Sequence, residues 1–284
     1  MALFDAGPTR RVLCLHGGGS RAEILRMQLR PFFASAIGKG LALDFECIDG
    51  MYECVGDPML EALYPGKFYS YVNKTTSAKS SYASKDLYPH PPAPDRGSYV
   101  RLPASVAAFR DLYLADEAPR YEGIVGFSQG ANLAAMLLAD FAKRGVDPPV
   151  QWAVLMGGGD FGWASALRDR GELFAAPIAS PPVLATIGTN DERVGPSFDG
   201  FRALFGEANL ELATHDEDHR PFPADHADAV RLARRICDFV DRVTMPAEYP
   251  DIARLTTPQL AIPPNVFRPD DATADEAGGV ALLN

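Results

Sequence analysis

Short apolar runs alternate along this chain with longer stretches whose apolar residues recur at helical spacing. Residues 11–15, 121–125, 152–156 and 182–188 read as buried strands, because each is a brief, nearly continuous apolar run. Residues 43–49 alternate in character and read as a further strand, and residues 210–214 as the last one. Between them the pattern predicts helices over 21–37, 103–114, 131–139, 197–205 and 224–243. The first mixes core and surface positions at Ile24, Leu25, Met27, Gln28 and Leu29, and Gly38-Lys39-Gly40 stops it. Val106, Phe109 and Leu112 repeat at helical spacing, and Val230, Leu232, Ile236, Phe239 and Val240 form a stripe on the last helix. Strands alternating with helices predict an α/β fold built on a mostly parallel, doubly wound sheet.

Two stretches leave this rhythm. From Gly50 to about Tyr99 the chain carries several prolines and many aromatics, among them Tyr52, Tyr64, Phe68, Tyr69, Tyr71, Tyr82 and Tyr88. So aromatic a segment is no disordered linker, and a long insertion in a domain of this size is expected to be a lid or pocket wall. Tyr52, Phe68, Tyr69 and Tyr71 are the candidate substrate contacts, with a packing flap that has no part in recognition as the alternative. From Pro246 onward the sequence is rich in proline and acidic residues without a period. The expected organisation is therefore one domain over residues 1–245, with an insertion at about 50–100, and an irregular tail over 246–284. No internal repeat is apparent.

Composition narrows the function classes. With 284 residues, 47% of them hydrophobic, the chain can bury a core without disulfides or metal. A net charge of −10 argues against a nucleic-acid partner, which would need a basic face. Cys14, Cys47, Cys54 and Cys237 form no Cys-x-x-Cys pair, so neither zinc nor a redox motif is indicated, and a reducing, cytoplasmic setting is expected. The first residues lack an apolar signal core, and no stretch is long enough to span a bilayer, so no membrane partner is expected.

The chemistry centres on Gly126-Phe127-Ser128-Gln129-Gly130. Gly-x-Ser-x-Gly between an apolar strand and an Ala/Leu-rich helix is the pattern of a nucleophile elbow, in which a tight turn exposes the serine at the sheet edge. A glycine-rich strand-to-helix turn with a capping serine is the plainer reading. A serine hydroxyl needs a histidine to take its proton and an acid to orient that histidine. Asp191, just past the strand over 182–188, is the acid candidate, with a helix-capping role as its alternative, and Glu192 should point elsewhere. His16 and His90 precede the serine, whereas His215, His219 and His226 follow it. His219, in the loop between the last strand and the last helix, is the favoured base; His215 and His226 stay open. The oxyanion donors are expected from Gln129 N–H and from the loop His16-Gly17-Gly18-Gly19-Ser20, at Gly18 or alternatively Gly19. That loop lacks both the Gly-Lys-Ser/Thr ending and the Gly-x-Gly-x-x-Gly spacing of phosphate cradles. His16 is expected to brace it rather than to catalyse.

Together, Leu13-Cys14-Leu15-His16-Gly17, Gly126-Phe127-Ser128-Gln129-Gly130, Gly188-x-x-Asp191-x-x-Val194 and His219-Arg220-Pro221 resemble the FSH serine hydrolases, a branch of the α/β-hydrolase superfamily. The resemblance covers roughly residues 10–243. It implies an α/β-hydrolase fold, a triad of Ser128, His219 and Asp191, and esterase or thioesterase activity with no cofactor and no metal. The His16-Gly17-Gly18-Gly19 stretch and the aromatic insertion look like fungal members, several of which act beside polyketide synthases. An apolar acyl ester or thioester, polyketide or fatty, is the substrate this implies, including a chain carried on a carrier protein. Where the family often has Gly-Gly before the histidine, this chain has Glu217-Asp218, so a differently shaped histidine loop is expected. Acyl transfer to another acceptor, and a non-catalytic small-molecule-binding protein on the same fold, are the rival functions.

Overall fold

The structure, a computed structural model, describes residues 10–71, 106–115, 120–158, 177–192 and 194–244. Among the described residues, six strands form the central sheet: β1 (Arg10–Leu15), β2 (Leu43–Ile48), β5 (Gly123–Phe127), β6 (Trp152–Met156), β7 (Val183–Gly188) and β8 (Leu210–His215). Their spatial order is β2-β1-β5-β6-β7-β8, and every neighbouring pair is parallel. The sheet runs outward from β1 in one direction and from β5 in the other, so the loops that follow these two strands diverge around a switch point.

Successive side chains on a strand face opposite ways, and here both faces are covered, which is why the central strands read as unbroken apolar runs. Leu13, Leu15, Ile124, Leu155 and Ala185 pack on one side with Leu133, Leu137, Phe201 and Phe205. Val12, Cys14, Val125, Val154 and Leu184 pack on the other with Phe32, Leu232, Ile236 and Phe239. The stripe expected on the last helix is thus the buried seam of α7 (His226–Thr244), apart from half-buried Val230. Of the other helices, residues 106–113 form α4, α5 (Gln129–Arg144) follows β5, and α6 (Val194–Phe205) follows β7.

The single helix expected over 21–37 is two, α1 (Ala22–Gln28) and α2 (Arg30–Gly38), joined at Leu29. Pro31 is the cause. It has no N–H to give to the preceding turn, and its ring collides with the carbonyl four residues back, so it fits only where a helix begins.

The start of the aromatic insertion is ordered. β3 (Tyr52–Cys54) pairs antiparallel with β4 (Phe68–Ser70), and α3 (Pro58–Leu63), capped by the Asp57 side chain on Met59 N–H, joins them. This flap lies against the sheet edge at Gly50, where a Cβ would stand 2.5 Å from the Ser70 backbone. Tyr82, Tyr88 and the rest of the expected insertion, and the whole expected tail, lie outside the described residues.

Candidate active site

The elbow follows from what its neighbours leave room for. Ser128 has φ 54° and ψ −114°, and among the described residues no other non-glycine residue has a positive φ. A left-handed backbone at a residue with a Cβ costs on the order of 1–3 kcal/mol and persists only where the surroundings enforce it. They do so through the flanking glycines. A Cβ on Gly126 would stand 2.5 Å from Ala131 N, and one on Gly130 would lie inside the backbone of Leu15 and His16. The hydroxyl does not cap α5, which leaves Gln129 N–H as one of the helix's unspent first donors.

The acid and base candidates, Asp191 and His219, lie in the loops after β7 and β8, and those loops are laced together. Thr189 N–H donates to His215 O at 2.8 Å, Asn190 N–H to Glu217 O at 3.1 Å, and Asn190 Nδ2 to Asp216 O at 3.2 Å. Gly188 belongs to the same contact, because a Cβ there would overlap the Glu217 and Asp218 carbonyls. The lacing sets Asp191, only 4% exposed, under His219. His219 Nδ1 lies 2.6 Å from Asp191 Oδ2, and His219 Nε2 lies 2.8 Å from Ser128 Oγ. An ionised carboxylate only accepts, so Nδ1 carries the proton and Nε2 is left to accept the serine hydroxyl. Phe127, tilted over the imidazole at 5.2 Å between centroids, and Gly157, whose Cβ would meet the ring at 3.2 Å, hold its plane.

It is the His219 ring that reaches Ser128. His215 is buried at the end of β8, where burial lowers its pKa, and His226 opens α7 on the surface. Glu217 and Asp218 are turned outward: Asp218 pairs with Arg220 at 2.7 Å, and Glu217 accepts Ala224 N–H at 3.1 Å. Glu192 is exposed.

The glycine loop after β1 lies beside the elbow, with Gly17 close enough that a Cβ would meet that of Ser128 at 3.4 Å. Gly19 N–H is spent on Tyr69 O at 3.0 Å, which removes it as an oxyanion donor; Gly18 N–H has no hydrogen bond to a described residue. His16 braces the loop. Gly50 N–H donates to Nε2 at 2.9 Å, so Nδ1 carries the proton and donates to Gly17 O at 2.6 Å. Burial pushes this imidazole down to about 4, so it stays neutral. In a trans peptide, C=O and N–H point opposite ways, so holding the Gly17 carbonyl turns Gly18 N–H away from His16.

The four aromatic candidates divide. Tyr52 and Tyr69 are partly exposed on the flap, whereas Phe68 is 4% exposed and Tyr71 has no exposed surface. Tyr71 is therefore not a pocket wall but part of the core beneath the glycine loop. Among the described residues, no group of three or more His, Cys, Asp or Glu side chains could hold a metal ion. None of the described helices is long and apolar enough to cross a membrane.

Comparison with known proteins yields a family, relatives and a fold. The family described as serine hydrolase (FSH1) matches residues 6–230. Hydrolase phiM from a fungal species (strain ATCC 74256) is 31% identical over 153 residues, 53% of this chain and 57% of that protein. Esterase FPY3 from Fusarium mangiferae is 32% identical over 146 residues, 51% of this chain and 55% of that one. The chain thus spans little more than half the length of these two relatives. The crystal structure of Arabidopsis thaliana SOBER1 superposes with a TM-score of 0.51 at 15% identity, covering 83% of this chain and 99% of that one. At that identity the likeness shows the fold, which is that of the α/β-hydrolases.

Proposed function

This chain belongs to the serine hydrolase (FSH1) family, and on that premise we propose that it cleaves a carboxylic ester or thioester through an acyl-enzyme on Ser128. The observation that carries the reading is the continuous hydrogen-bonded line Ser128 Oγ, His219 Nε2, His219 Nδ1, Asp191 Oδ2. His219 takes the hydroxyl proton as Ser128 Oγ attacks the carbonyl carbon. The buried Asp191 carboxylate stabilises the imidazolium that forms. Negative charge gathering on the carbonyl oxygen meets Gln129 N–H and Gly18 N–H, fixed before the reaction begins. The imidazolium returns its proton to the leaving alcohol or thiol, and water activated by His219 then releases the acid.

The acyl group we propose is apolar, polyketide or fatty, free or carried on a carrier protein. Support comes from the partly exposed Tyr52 and Tyr69 on the flap, Phe127 beside the imidazole, and the relatives named as hydrolase and esterase.

A fluorophosphonate probe and p-nitrophenyl esters of graded chain length test this. Wild type should label and turn over; Ser128→Ala and His219→Ala should each lose at least about 10³-fold in kcat. Equal labelling of wild type and Ser128→Ala would sink the proposal, as would wild-type turnover by His219→Ala.

A further inference from the structure

We propose that Tyr71 is a positioning residue for the oxyanion site, a strut that fixes the glycine loop and the elbow helix relative to each other. This rests on the reading of Ser128 as nucleophile, with Gln129 N–H and Gly18 N–H as oxyanion donors. Those two donors sit on different elements, one opening α5 and one in the loop after β1. The β1–β5 pairing and the contact of Gly130 with the Leu15 and His16 backbone bring the two elements together, and Tyr71 ties them further with both of its polar ends.

Its main-chain N–H donates to the Gln129 side-chain Oε1 at 2.9 Å, and Ser70 Oγ donates to the same oxygen at 3.2 Å. The Tyr71 N–H can only donate, which settles which end of the amide is oxygen. The Gln129 nitrogen therefore faces the glycine loop, 2.9 Å from where a Cβ on Gly18 would be. At its other end, Tyr71 Oη accepts His16 N–H at 2.7 Å and donates to Ile48 O at 3.3 Å. The phenol ring lies 4.7 Å from the His16 imidazole and meets Phe109 edge-on at 5.7 Å. Burial raises the phenol well above its ordinary pKa, so the hydroxyl keeps its proton for Ile48 and its lone pair for His16.

The same flap grips the loop again two residues earlier. Gly19 N–H donates to Tyr69 O at 3.0 Å, and Tyr69 N–H to Ser20 O at 2.8 Å. Flap, loop and elbow thus form one hydrogen-bonded unit, in which Tyr71 connects directly to both donor-bearing elements through polar groups. Oxyanion stabilisation depends steeply on donor placement. Loosening the strut should weaken transition-state binding while leaving ground-state binding and the Ser128–His219–Asp191 line intact.

Tyr71→Phe deletes Oη and keeps the ring, and Gln129→Met deletes the side-chain acceptor and keeps the main-chain donor. On a p-nitrophenyl ester, each should lower kcat by about 10- to 100-fold, less than loss of an oxyanion donor outright, with KM within about twofold. Inhibition by a trifluoromethyl ketone, which forms a tetrahedral oxyanion on the serine, should weaken in proportion to kcat/KM, and the pH profile should keep its wild-type shape. A merely structural defect would lower the active fraction without moving the inhibitor constant. Wild-type kcat in Tyr71→Phe, or a kcat loss with an unchanged inhibitor constant, overturns the strut. Should Tyr71→Phe not fold, Gln129→Met decides by the same two readouts. Ser128→Ala, run alongside, separates the cases: activity that survives it refutes the nucleophile itself, not the strut.

Discussion

Acid should destabilise this protein through His16. The imidazole is buried, accepts Gly50 N–H at Nε2 and donates from Nδ1 to Gly17 O. Protonation would place a second N–H at Nε2, facing the Gly50 donor. Burial lowers the folded pKa from 6.5 to about 4. Between those values the unfolded chain binds more protons than the folded one, so stability rises with pH through this window and is lost as pH falls. The stability lost relative to neutral pH is about 1.4 kcal/mol at pH 5.5 and about 3 kcal/mol at pH 4, a shifted unit being worth about 1.36 kcal/mol. Urea denaturation of wild type and His16→Gln at pH 7.5, 5.5 and 4 measures it. The glutamine keeps an acceptor for Gly50 but does not titrate, and the difference between the two proteins cancels groups they share, such as the buried His215. Wild type should be the more stable at pH 7.5, and that advantage should shrink by about 3 kcal/mol by pH 4. A difference constant within about 0.5 kcal/mol over the range would refute the brace.

Two further outcomes follow from the elbow. Ser128→Gly should be more stable than Ser128→Ala by about 1 kcal/mol in thermal or urea unfolding, because only glycine adopts φ 54° without strain, and both should be inactive; equal stability would mean the turn is unstrained. Gly130→Ala should fail to yield active, folded enzyme, since its Cβ would occupy the Leu15 backbone; wild-type turnover by that variant would show that the loop yields easily.

Much of the site was legible because its signals are local. Gly126 needed only the turn geometry to be understood, whereas Gly130 is also required by the Leu15 and His16 backbone beside it; the apolar runs that became β5, β6 and β7 needed only to be short and buried on both faces. Asp191 was placed by being just past a strand end. Pro31 was equally local, yet the apolar spacing around it masked the break it makes between α1 and α2. The histidine was harder. Three histidines follow Ser128 within twelve residues of one another, and what separates them is the lacing of the β8 loop onto Gly188, Thr189 and Asn190, together with the capture of the Asp218 side chain by Arg220.

By itself the sequence determined the six strands of the central sheet, the Gly-x-Ser-x-Gly turn and the glycine-rich loop, because each is marked by residues a few positions apart. Only the tertiary structure decided which ring meets Ser128 Oγ, which glycine N–H is already spent, and that Tyr71 lies beneath the loop rather than in front of it. Those outcomes depend on contacts between segments far apart in the chain, His16 with Tyr71 and Ser128 with His219. Such distances are set when the sheet closes and its two faces fill, and no periodicity along the chain encodes them.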